Sequence, residues 1–213
     1  MMTPTTDTVH LAVYDGFADW EAGLAVAQIR SGAFQPGPAH FDVRTVGPSR
    51  EPVRSMGGVL VTPDLALDEL APSDSAMLIV PGGGGWEAED GNGAFPRKAR
   101  AFLDASVPVA AICGATFGLA REGLLDDRDH TGADAGYLAS SGYRGTDRYR
   151  AADAVRDRGL ITAGPTDAVA FAREILAELG LMGPEVLAAW FRLFARSDPG
   201  AYGELIRLTG AAA

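Results

Sequence analysis

Short, wholly apolar runs alternate with amphipathic stretches along most of this chain, and few architectures accommodate that pattern. Residues 9–14 (VHLAVY) stop at Asp15-Gly16, and residues 76–80 (AMLIV) stop at Pro81 and the glycine run that follows. A third run leads into Cys113-Gly114, and residues 160–163 (LITA) form a fourth. Runs this short and this apolar read as buried strands, and residues 41–46 read as one more. Helical periodicity fills the intervals. Residues 19–31 place Trp20, Leu24, Ala27 and Ile29 roughly on one side, with Gly32 as a stop. Residues 95–105, the stretch after Cys113 and residues 167–179 follow the same logic. Strands that are apolar on both faces and alternate with helices predict a parallel sheet covered on both sides. Ligands in such sheets bind beyond the carboxyl ends of the strands, so the loops after Tyr14, Val80 and Ile112 are expected to share one crevice. Residues 53–61 read as a hairpin around Gly57-Gly58. The stretch from the post-Cys113 helix to Tyr149 is irregular, and no internal repeat or low-complexity linker interrupts the chain.

A chain of 213 residues fits one domain, or one domain with a small appendage. Residues 1–180 are assigned to the α/β unit and residues 181–213 to a helical extension packed on it. Within 184–209 one helical pattern carries Val186, Leu187, Trp190, Phe191 and Phe194, and another carries Tyr202, Leu205, Ile206 and Leu208. Packing on the parent domain is the plain use of these faces; a dimer contact or a lid is the sharper one.

The net charge of −10 argues against a general nucleic-acid binder, which needs a basic footprint. No apolar run reaches membrane-spanning length. Residues 1–7 show no basic region followed by an apolar stretch, so no signal peptide is expected. One cysteine rules out an internal disulfide, and together these features point to a reducing cytoplasm.

That cysteine stands where a thiol is made reactive. Cys113 sits between an apolar strand and a helix, with Gly114 and Ala115 as the small neighbours a tight strand-to-helix elbow requires. The N–H groups and positive dipole end of the helix are expected to favour thiolate and lower the pKa. The alternative is a small buried hydrophobe. Asp15, Asp19 and Glu21 follow the first strand and bring carboxylates toward the same crevice. Asp19 reads as a helix N-cap and Glu21 as a first-turn acid. Beside a thiolate, Glu21 would stay protonated and donate a hydrogen bond to sulfur or a proton to substrate.

The run Pro81-Gly82-Gly83-Gly84-Gly85 fits neither phosphate-loop spacing, since no Gly-Lys-Ser/Thr follows and no G-x-G-x-x-G is present. It suits close backbone approach to a ligand, or simply a turn. Its N–H groups, with that of Gly114, are candidates to cradle an oxyanion. His10 and His40 read as structural. His130 follows the helix after Cys113 and is either a surface residue or a partner brought near the thiol by the fold. Cysteine and histidines show no metal-ligand spacing, and the reading includes no metal and no cofactor.

Taken together, these pieces resemble the ThiJ/PfpI family of the class I glutamine amidotransferase-like superfamily. The matching residues are Asp15-Gly16 and Glu21 after the first strand, Ile79-Val80-Pro81-Gly82-Gly83, Ala111-Ile112-Cys113-Gly114-Ala115-Thr116, Gly123-Leu124-Leu125 with His130-Thr131, and Gly159-Leu160-Ile161-Thr162-Ala163. The resemblance spans roughly residues 9–179. It implies a flavodoxin-like three-layer α/β/α sandwich with a mostly parallel sheet, with Cys113 as nucleophile on the elbow. It further implies Glu21 as the acid on the sulfur, Gly83 and Gly114 as oxyanion N–H donors, His130 as the nearby histidine, and a homodimer. The implied chemistry is hydrolase, hydratase or glyoxalase-like lyase action on a small electrophilic substrate. The alternative is a non-catalytic stress protein whose Cys113 oxidises to a sulfinate. Protease-like members carry His directly after the nucleophile. Gly114 stands there, which speaks against a peptidase. A glutamine amidotransferase would need a placed histidine and a synthase partner, and neither is evident. Gly132-Ala133 stands where close relatives often carry Ser-Asn, and Ala163-Gly164-Pro165 replaces the more usual Ala-Ser-Gly.

Overall fold

The computed structural model describes residues 7–37, 40–88 and 91–210. Residues 1–6, where the leader question falls, lie outside the described residues. Seven strands make one sheet in the order β5-β2-β1-β6-β7-β9-β8, where β1 is Thr8–Ala12, β2 Asp42–Gly47, β5 Leu65–Ala66, β6 Met77–Val80, β7 Val109–Ile112, β8 Ala154–Asp157 and β9 Leu160–Ala163. Every neighbouring pair is parallel except β8–β9. A separate antiparallel pair, β3 (Val53–Arg54) with β4 (Leu60–Val61), is the expected hairpin.

Side-chain alternation in the central strands divides the core into two layers. Met77 and Ile79 of β6, with Ala110 and Ile112 of β7, face α1 (Asp19–Ser31) and α5 (Ala168–Glu178). Leu78, Val80, Val109 and Ala111 face the opposite layer, built on α2 (Ala94–Asp104) and α3 (Gly114–Arg121). Helices on both faces of a mostly parallel sheet make this a flavodoxin-like α/β/α sandwich. A short helix, α4 (Ala135–Ala139), lies in the stretch read as irregular; Asp134 caps it by accepting from the Tyr137 N–H.

The chain continues as α6 (Pro184–Arg196) and α7 (Pro199–Thr209). Trp190 is fully buried, and its indole N–H donates to Gln28 Oε1 of α1 at 3.1 Å. Leu181, Val186, Trp190 and Leu205 join the same apolar cluster as Phe171 and Ile175 of α5.

Two strands escape sequence reading. β5 is only two residues long. β8 carries Arg156 and Asp157, as befits an exposed edge, and is fixed to β9 by a two-residue turn at Arg158-Gly159, both with positive φ. The expectation of Asp19 as an N-cap is corrected. α1 begins at Asp19 with Ala18 as its cap residue, because the Gly82 carbonyl holds the Ala18 N–H at 2.9 Å. The Asp19 carboxylate instead accepts from Ser55 Oγ on the hairpin at 2.7 Å. Among the described residues no helix is long and apolar enough to cross a membrane.

Candidate active site

β1, β6 and β7 are neighbours, so the loops leaving their carboxyl ends converge as expected. Cys113 follows β7 with φ 57° and ψ −125°, in the region that non-glycine residues avoid. The strain is held from both sides. The Cys113 N–H donates to the Ala163 carbonyl at 3.0 Å, and the Thr116 N–H and Oγ1 both donate to the Cys113 carbonyl, at 3.0 and 2.6 Å. A non-glycine residue kept in such a conformation by its surroundings is a common device for presenting a nucleophile.

Glu21 is almost wholly buried in the first turn of α1, and its Oε2 accepts from the Gly82 N–H at 2.6 Å. The carboxyl is also the hydrogen-bond partner of the Cys113 thiol. Burial raises the Glu21 carboxyl to about 7, against the opposing pull of the Gly82 N–H and the thiol. The thiol is pushed up to about 12, first by burial and then by the charge and hydrogen bond of Glu21; the Gly114 N–H pulls the other way. The expectation that the helix N-terminus yields a low thiol pKa is therefore outweighed. Two neighbouring acids disfavour double ionisation, so the first proton leaves the pair near neutrality and the second is held more tightly.

Glycine at 82 is what permits this contact. A Cβ there would lie 2.7 Å from Cys113 Cβ and 2.8 Å from both Glu21 Oε2 and the Gly114 nitrogen. Gly83, at φ 139°, lies opposite Phe17. The flanking bonds of that pairing run from Ala18 N–H to the Gly82 carbonyl and from Gly84 N–H to the Gly16 carbonyl, which leaves the Gly83 N–H outside it. Gly83 and Gly114 are adjacent: a Cβ on Gly114 would meet the Gly83 carbonyl at 3.2 Å.

Trp86 packs beneath the start of α3. It is fully buried, and its indole ring fills the space left by Gly114 and Gly118, where added Cβ atoms would come within 2.6 Å of ring atoms. Its N–H donates to the Tyr14 hydroxyl at 2.9 Å, and that hydroxyl faces the Pro81 and Gly82 carbonyls at 2.8 and 2.6 Å. The pairing of Trp86 with glycines four apart on α3 was the available sequence signal for this clamp. On the open side, Tyr137 Oη donates to Glu87 Oε1 at 2.7 Å.

His130 is completely buried. Its Nδ1 pairs with the Arg128 carbonyl at 2.8 Å and its Nε2 with the Tyr143 hydroxyl at 3.0 Å, and burial lowers its pKa. The next residues, not the ring, back onto the elbow: a Cβ on Gly132 would lie 2.7 Å from Thr116 Oγ1. His10 is buried against Ser75 Oγ at 2.9 Å, while His40 is exposed. Among the described residues, no group of His, Cys, Asp or Glu side chains has the arrangement of a metal site.

A mostly parallel sheet flanked by helices, with a strained cysteine elbow at the carboxyl end of a central strand, fits the class I glutamine amidotransferase-like superfamily. Within it, the chain belongs to the DJ-1/PfpI family, whose profile matches residues 7–178. The chain is 36% identical to "Uncharacterized protease YoaZ" of Bacillus subtilis, over 94% of this chain and 97% of that one. A ThiJ/PfpI family protein from Bacillus anthracis superposes with a TM-score of 0.91 at 32% identity, covering 99% of this chain and 100% of the other. The DJ-1 superfamily protein Atu0886 from Agrobacterium tumefaciens gives 0.80 at 37% identity, over 89% and 98% of the two chains.

Proposed function

We propose that this protein is a cysteine-dependent enzyme acting on a small molecule with an electrophilic carbon, such as a carbonyl, a nitrile-like carbon or an isocyanide. The observation that carries this reading is the direct pairing of Glu21 with Cys113 on the elbow. As Cys113 Sγ bonds to the substrate carbon, its proton passes to the Glu21 carboxylate and the electron pair of the attacked bond moves onto the substrate heteroatom. Glu21 then returns the proton to the adduct, so that one group serves as base and acid in turn. In this reading the N–H groups of Gly83 and Gly114 stabilise an oxyanion. His130 engages the Arg128 carbonyl and the Tyr143 hydroxyl through its two ring nitrogens, and this reading assigns the proton transfer to Glu21. A peptidase reading, suggested by the relative's name, is disfavoured here because Gly114 supplies no imidazole beside the nucleophile.

The test is turnover of aldehydes, amides and isocyanides by wild type, Cys113→Ala and Glu21→Gln. The reading expects Cys113→Ala to abolish turnover and Glu21→Gln to reduce it by about a hundredfold, the usual scale of a general base. Activity should rise with pH through about 7, because the thiol needs an ionised Glu21 to receive its proton. Peroxide-dependent conversion of Cys113 to a sulfinate, with no turnover of any of these substrates, would instead establish redox sensing. A reducing, cytoplasmic setting suits a free thiol. We also propose a homodimer, built on the exposed side chains of Trp20, Met56, Val59 and Leu60 around the hairpin.

A further inference from the structure

The loop after β6 does more than deliver Gly82 to the thiol. Trp86 anchors it against Gly114 and Gly118, so the next residue, Glu87, emerges beside the start of α3. Cys113, Phe117 and Arg121 are four residues apart and share one face there. Tyr137 lies on Phe117 with ring centroids 5.0 Å apart and reaches across to Glu87. The Glu87–Tyr137 pair thus stands beside the elbow, close enough for Glu87 to act on the thiol. The Glu87 carboxylate is exposed and has no ion pair among the described residues. Arg121 donates to the Ala88 carbonyl at 2.9 Å and lies over the Phe117 ring, and it makes no ion pair with Glu87. The charged side chains that act on the thiol, Glu21 and Glu87, are both acidic.

We propose that Glu87, held by Tyr137, sets the charge of the substrate: the site admits neutral and cationic electrophiles and rejects those bearing a carboxylate, such as 2-oxo acids. This inference rests on Cys113 being the nucleophile. It assigns Glu87 a role in specificity, with no part in the chemistry. A negative charge beside the thiol raises the local concentration of cations and depletes anions.

Thiol reagents of graded charge test this without any substrate. Methanethiosulfonates bearing a trimethylammonium, a methyl or a sulfonate group all form a disulfide with the sulfur of Cys113. In each case the reagent's own sulfur–sulfur bond breaks and methanesulfinate leaves. Rates are read by mass spectrometry on the intact chain and divided by rates with 2-mercaptoethanol. Taking the ratio of cationic to anionic reagent cancels any change in thiol ionisation between variants. The expected wild-type ratio is about tenfold or more at low salt, shrinking as salt screens the charge. Glu87→Gln should cut the ratio by about threefold. Glu185→Gln removes one charge from the start of α6 and should leave it unchanged. Equal fast rates for all three reagents would overturn the charge filter and leave the nucleophile intact. An equal drop in both glutamate variants would also overturn it, since net charge alone would then explain the ratio. Failure of every reagent would remove the nucleophile itself, and this inference with it.

Discussion

At the scale of single residues, burying Glu21 beside Cys113 makes stability depend on pH. Glu21 has its folded pKa raised to about 7 from an ordinary value of 4.5. The folded state therefore holds a proton that the unfolded chain releases. The contribution of Glu21 is greatest below the unfolded value and is lost as pH rises through the folded one. The loss is about 3 kcal/mol at ~1.4 kcal/mol per unit. Glu21→Gln keeps an uncharged group in place, so its thermal midpoint should exceed that of wild type at about pH 8 and match it near pH 4. A midpoint difference that does not vary with pH would refute the assignment. Gly82→Ala tests the close approach. Its Cβ would press on Cys113 and Glu21 together, and overpacking of this kind costs about 1–3 kcal/mol. Denaturant titration should show that loss, and iodoacetamide labelling of Cys113 should change in the same variant.

Elements show how far local pattern carries. Helix α1 matches its expected bounds because apolar spacing and the stop at Gly32 are local signals. β6, β7 and β9 are legible because strands buried on both faces cannot hide their composition. β8 was not legible: an edge strand needs no apolar face, and only its pairing with β9 defines it. The α6–α7 pair carries a further prediction. Trp190→Ala removes a fully buried ring from the cluster shared with α1 and α5, and should cost about 3–5 kcal/mol. Labelling of Cys113 in the folded variant should stay close to wild type, because the strand ends that hold the elbow are untouched. A large loss of labelling would mean that these helices help to build the site.

For the whole molecule, Trp20, Met56, Val59 and Leu60 place exposed apolar side chains on and beside the hairpin, while Phe194 and Tyr202 are exposed on α6 and α7. Trp20 is 53% exposed and Leu60 60% exposed, unusual values for such large side chains on an acidic chain. If a second copy covers them, Trp20→Glu or Leu60→Glu should halve the mass measured by light scattering while leaving the circular dichroism spectrum unchanged. A wild-type chain that runs as a monomer across concentrations would remove the homodimer.

The sequence by itself determined the alternation of apolar strands and helices, and with it the covered parallel sheet. It also placed Cys113 on an elbow and put Glu21 within reach of it, because both depend on a few neighbouring residues and on which strand ends converge. Only the tertiary structure decided the state and company of that thiol. Burial and the Glu21 charge outweigh the helix N-terminus, Trp86 packs beneath α3, and the ring nitrogens of His130 pair with the Arg128 carbonyl and the Tyr143 hydroxyl. These outcomes depend on water excluded and distances set across residues far apart in the chain. Desolvation and contact are properties of the packed molecule, and no local pattern encodes them.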